Sequence, residues 1–161
     1  SRLFARPRRL LRLNVQKGVN AMIIGIGHDL TNFERIEKLL DEQGERFTKK
    51  YFTPIEIARA ERLRHVGGHV GAYTKRFAAK EATAKALGTG FSQGVYMKDI
   101  GVDNDKNGQP FLTLTNGAME KLQSLIPEGY TARLHITLTD EPPLADAMVM
   151  IEALPDQSSG I

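Results

Sequence analysis

The chain has 161 residues, 41% hydrophobic and 25% charged, with neither cysteine nor tryptophan. That length suits one domain with a core of its own. The missing cysteines exclude a disulfide framework and a thiol nucleophile, and they suit a reducing compartment.

No apolar run approaches the roughly 20 residues of a membrane helix. The net charge of +3 is uneven. Residues 1–21 hold Arg2, Arg6, Arg8, Arg9, Arg12 and Lys17 and no acid. Taking those six from 22 basic residues leaves 16 against 19 acidic ones over 22–161, a net of −3. The leader has three readings: sequence upstream of a start at Met22, a targeting or membrane-surface segment, and a nucleic-acid arm. It is expected to lie outside the fold, which should span 22–154, with 155–161 as a frayed tail.

"MIIGIG", from Met22, reads as a buried strand. Asp29 follows it, on an expected turn. Thr31-Asn32-Phe33-Glu34 has capping-box form, with Thr31 as N-cap, and predicts a helix to about Gln43. Phe33, Ile36, Leu39 and Leu40 are its inner face, Arg35 and Lys38 its outer side, and Gly44 its stop. "RFTKKYF" is ambiguous. Thr53-Pro54-Ile55-Glu56 is a second capping box, opening a helix to about Arg64. A third helix should run from about Val70 to Leu87, ended by Gly88.

The second half changes period. Residues 99–115 read as strand, turn, strand, with Asn107-Gly108 supplying positive φ angles. A helix is expected over 116–126. "ARLHITLTD" alternates Leu134, Ile136 and Leu138 against Arg133, His135 and Thr137, and "ADAMVMIEAL" is the last strand. The class is α+β, an antiparallel sheet packed against helices.

The third helix carries the chemistry, in "RFAAKEATAKALGTG". Phe77, Glu81, Lys85 and Gly88 share one face. Its alanines permit close approach of another backbone or of a ligand. Glu81 and Lys85 are in the favourable order for a helical ion pair, worth about 0.3–0.5 kcal/mol. Gly88-Thr89-Gly90 is a backbone that can approach a phosphate, although Gly88 also has a capping role. Asp29 and Glu81 would make two hard oxygen ligands, as magnesium takes; Asp29 could equally be a turn residue bonding its own backbone. His28, His65, His69 and His135 lack zinc spacing. Among nucleotide-binding and nucleophile-elbow motifs, no P-loop, dinucleotide fingerprint or serine elbow occurs.

"IIGIGHDL…ERI" followed by "RFAAKEATAKALGTG" closely resembles the holo-acyl-carrier-protein synthases, the short class of 4′-phosphopantetheinyl transferases, over about Met22 to Leu154. The resemblance implies that fold and a magnesium-dependent transfer of phosphopantetheine from coenzyme A to a serine of an acyl carrier protein. It implies Asp29 and Glu81 as metal ligands and Lys85 as neutraliser of the diphosphate. Arg76, Phe77, Lys80, Lys85, Gly88 and Gly90 become coenzyme A contacts, with Arg35 and Lys38 docking the carrier. Arg46, Lys49 and Lys50 would extend that dock.

Glu81 is the first candidate to accept the serine proton, ahead of Asp29 and a metal-bound water. A homotrimer with sites at subunit boundaries, a cytoplasmic location, and no nucleic-acid or membrane partner are also expected. One departure stands out. Where relatives carry Ser-x-x-His on a strand, this chain has His135-Ile136-Thr137-Leu138, and positions 135 and 138 face opposite sides. The competing readings are a basic-arm binding module without catalysis and another coenzyme A enzyme such as a thioesterase.

Overall fold

The computed structural model describes residues 20–156. Expectations for residues 1–19 and 157–161, most of the leader and of the tail, lie outside them. The elements in chain order are β1 (Met22–Asn32), α1 (Phe33–Gln43), α2 (Glu45–Tyr51), α3 (Pro54–Glu61), α4 (His69–Ala86), β2 (Ile100–Asn104), β3 (Pro110–Leu114), α5 (Asn116–Leu125), β4 (Tyr130–Glu141) and β5 (Leu144–Pro155). One antiparallel sheet has the order β1-β5-β4, and β2 and β3 form a separate hairpin.

Helix α4 is the axis of the molecule. Its C-terminal half, with Ala78, Ala79, Ala82, Ala84 and Ala86, joins a core shared with β2, β3, α5 and the inner face of β5. That face is Ala145, Ala147, Val149, Ile151 and Ala153, alternate residues as a pleated strand requires. Its N-terminal half joins a second core with Ile36, Phe47, Phe52, Ala60, Tyr73 and Phe77. An alanine-rich helix is what such all-round burial needs. A Cβ added at Gly27 would lie 1.7 Å from the Ala82 carbonyl oxygen, and one at Gly25 2.0 Å from that of Ala86. The backbone that approaches the alanines is therefore β1, and the alanines serve packing rather than leaving room for a ligand.

Several local expectations need correction. Strand β1 does not end at Gly27. It pairs with β5 as far as Asn32, so Asp29 sits on a strand opposite Ala147, not on a turn. The N-cap of α1 is Asn32, whose side-chain oxygen accepts from the Glu34 amide at 2.8 Å. Thr31 is still inside the strand, so it cannot cap. Of Asn107 and Gly108 only the glycine takes a positive φ, 83°. The Asp105 carboxylate accepts from the Asn107 and Gln109 amides and closes that turn instead. "RFTKKYF" lies within α2 and its C-terminal edge, and the capping box of α3 forms as expected.

Candidate active site

The close packing of β1 on α4 brings Asp29 against the helix face that carries Glu81 and Lys85. The Lys85 ammonium is 3.1 Å from Asp29 Oδ1 and donates to the His28 carbonyl oxygen at 2.9 Å. Among the described residues Lys85 is thus paired across the fold with Asp29, not along the helix with Glu81. The Thr31 hydroxyl donates to Asp29 Oδ2 at 2.6 Å. Glu81 is half-buried. Burial first, and the Asp29 carboxylate second, push its carboxyl above the ordinary range, against the pull of Arg35 and Lys85.

Beside Glu81 opens a cavity of about 640 Å³, with Arg35, Lys38, Lys50, Phe77, Phe91 and Tyr96 among its lining residues. The Arg35 guanidinium lies over the Phe77 ring, 5.2 Å from its centroid. Cations from α1 and α2 therefore flank the same space as the carboxylate. Arg46 and Lys49 do not line it, and the Lys49 ammonium is held by Glu45 at 2.6 Å. A second cavity, about 600 Å³ between β3, α5 and β4, is largely apolar, and Glu128 is its one charged residue. It lacks the paired charges of the first.

Four expected coenzyme A contacts look different in the fold. Lys80 is fully buried, with its ammonium on Glu56 Oε1 at 2.7 Å, the Met97 carbonyl at 3.1 Å and the Ile100 carbonyl at 2.6 Å. Its three donors are taken, so it has none left for a ligand. Arg76 is also turned inward, donating to Ala72 O and Asn104 Oδ1. The Gly88 amide donates to Lys85 O, and the Thr89 and Gly90 amides both donate to Ala84 O. These amides close the helix instead of facing a phosphate. What Gly88 and Gly90 leave is open space, since a Cβ at either would meet nothing within 4 Å.

Two of the histidines are engaged in ion pairs. His28 meets Asp146 at 2.9 Å and His135 meets Glu152 at 2.7 Å, both exposed, while Leu138 packs against the core. Thr31 was expected only as an N-cap, and Phe91 and Tyr96 escaped the sequence reading. Phe91 had a signal, as the first residue after Gly-Thr-Gly.

A family model described as the 4′-phosphopantetheinyl transferase superfamily matches residues 25–138. This span includes Asp29, Glu81 and Lys85. The chain belongs to that superfamily. Among its curated relatives, the holo-[acyl-carrier-protein] synthase of Sphingopyxis alaskensis is 56% identical over 135 residues, covering 84% of this chain and all of the relative. That of Methylobacterium sp. is 55% identical over 137 residues, covering 85% of this chain and 99% of the relative.

Solved transferase structures agree in fold. The synthase of Neisseria meningitidis superposes with a TM-score of 0.70 at 33% identity, over 81% of this chain and 98% of that one. The Bacillus anthracis synthase, solved in complex with CoA (3′,5′-ADP), gives 0.64 at 33% identity, over 81% and 97%. In this member of the superfamily the α+β fold is an antiparallel sheet against helices, as expected.

Proposed function

We propose that the protein transfers 4′-phosphopantetheine from coenzyme A to a serine of apo-acyl carrier protein, releasing adenosine 3′,5′-bisphosphate. The observation that carries this is the convergence of Asp29 and Lys85 with Glu81, which itself lines the cavity flanked by Arg35, Lys38 and Lys50, in a chain whose relatives bear that enzyme's name. The serine oxygen would attack the β-phosphorus, and the bond to the α-phosphate oxygen would break. Lys85, half exposed on a flexible stem, can leave Asp29 to meet the diphosphate charge. Glu81, a half-buried carboxylate close to Asp29 and Lys85, is the first candidate to take the serine proton.

Asp29 and Glu81 fit a magnesium ion. They are two hard oxygen donors, and their mutual repulsion is one cause of the raised Glu81 pKa. No group of three or more metal-ligating side chains occurs among the described residues. Magnesium does not need one, because it commonly takes one or two carboxylates plus waters and substrate phosphates. Bound there, it would offset charge on the diphosphate.

The exposed apolar face of β1, with Ile23, Ile26 and Leu30, continues onto Met148 of β5 and supports assembly of copies, read here as a trimer. No described helix is long and apolar enough to cross a membrane, and a cytoplasmic location is part of the same reading.

The test is intact-mass measurement of an apo carrier incubated with coenzyme A, with and without magnesium, alongside light scattering of the enzyme. The carrier should gain one phosphopantetheine only with the metal. Asp29→Ala and Glu81→Ala should abolish the gain while circular dichroism stays unchanged. Near-wild-type turnover in either variant would remove the site, thioester hydrolysis without transfer would replace the reaction, and a monomer mass would remove the trimer.

A further inference from the structure

We propose that Thr31 is a positioning residue for Asp29, its hydroxyl fixing the plane of the carboxylate that would hold the divalent cation with Glu81. The proposal rests on the metal reading above. Thr31 lies in β1 two residues beyond Asp29 and on the same inner side, paired with Ala145. It is 2% exposed, so its hydroxyl has no bulk water to bond, and it donates to Asp29 Oδ2 at 2.6 Å. The carboxylate is thereby held at both oxygens, by Thr31 on Oδ2 and by Lys85 on Oδ1.

The two holds differ in kind. The Lys85 side chain is 51% exposed on a flexible stem and has a second task, the diphosphate. Thr31 is β-branched, buried and anchored in a strand, with few rotamers open to it. When Lys85 turns to the substrate, Thr31 is the partner that stays. A residue needed only to fill this strand position would not require a hydroxyl, since valine has the same shape and a good strand preference. Nor does the hydroxyl cap α1, because Asn32 does that. Partners of this sort behind a metal ligand typically change metal affinity 10–100-fold when removed.

The experiment is Mn²⁺ titration of the full chain with coenzyme A present, followed by electron paramagnetic resonance, for wild type, Thr31→Val and Thr31→Ser. Thermal melts run in parallel. The expected result is about tenfold weaker Mn²⁺ binding in Thr31→Val. Thr31→Ser, which keeps the hydroxyl, should bind as wild type does. Wild-type affinity in a folded Thr31→Val would overturn the proposal. So would a folded Thr31→Ser protein that binds Mn²⁺ about tenfold more weakly than wild type, and this arm decides if the valine protein does not fold. Failure of wild type itself to bind Mn²⁺ would overturn the metal reading, and the role of Thr31 with it.

Discussion

Lys80 sits at 0% exposure with its ammonium 2.7 Å from Glu56, while Lys85, further along the same helix, is half exposed and reaches Asp29. Burial pulls the Lys80 pKa down, and Glu56 opposes that pull. Glu56 is equally committed. Its Oε1 accepts from the Thr53 amide at 2.8 Å and its Oε2 from the Val102 amide at 2.9 Å. The pair ties α3, α4 and the start of β2 together at the residue that precedes Glu81 in α4. Lys80→Met should leave Glu56 as an uncompensated buried charge and cost about 3–5 kcal/mol. In Glu56→Gln/Lys80→Met the glutamine can still cap α3 and the carboxylate is no longer stranded, while Arg76 loses one of its two nearby acids and keeps Asp103, so the double variant should be more stable than Lys80→Met alone. Urea unfolding measures both. A double variant less stable than the single one would mean that the carboxylate acts chiefly through its cap and amide bonds.

At the scale of elements, the distance between β1 and α4 decides whether Asp29 reaches Lys85 and Glu81. Gly25 and Gly27 set that distance, because any side chain there would strike a helix carbonyl. Gly27→Ala is expected to push strand and helix apart, costing about 1–3 kcal/mol or more, and to lower transfer activity as Asp29 retreats. Gly67→Ala is the control. Its φ of 73° makes alanine strained by about 1–2 kcal/mol, but nothing lies within 4 Å, and it precedes the N-terminus of α4, the end opposite Lys85. Equal activity in the two variants would remove the spacing argument. This packing also marks what the sequence could reveal. The Thr53–Glu56 capping box and the Gly88 stop are local devices and could be read directly. The extension of β1 through His28, Asp29, Leu30 and Thr31 could not, because it depends on pairing with β5 more than a hundred residues away. The burial of Lys80 was hidden for a similar reason. Its partner Glu56 lies on another helix and already had a capping role to explain it. Asp29 and Glu81 could be named from motif and resemblance, whereas the hold of Thr31 on Asp29 required knowing that the strand continues.

Over the whole molecule, charge is distributed against the average. The chain from Met22 onward carries a net of −3, yet the cavity beside Glu81 is flanked by Arg35, Lys38 and Lys50, with Glu42 as the one other acid among its lining residues, 3.8 Å from Lys38. A carrier with an acidic surface would be steered to that flank. Proximity to Glu81 separates these cations from the other basic residues of α2. Lys49 is held by Glu45 and does not line the cavity. Arg35→Glu should therefore raise the KM for carrier about tenfold, equivalent to about 1.4 kcal/mol, and flatten its dependence on salt. Lys49→Glu should change either quantity little. Arg35 also helps keep Glu81 ionised, since its charge lowers the Glu81 pKa. Its reversal would raise that pKa further, so activity would fall on the acid side first. Steady-state transfer measured well above the carboxylate range, at two ionic strengths, separates docking from this titration effect. There kcat should hold while KM rises. An unchanged KM in Arg35→Glu, or an equal rise in Lys49→Glu, would place the carrier on another surface.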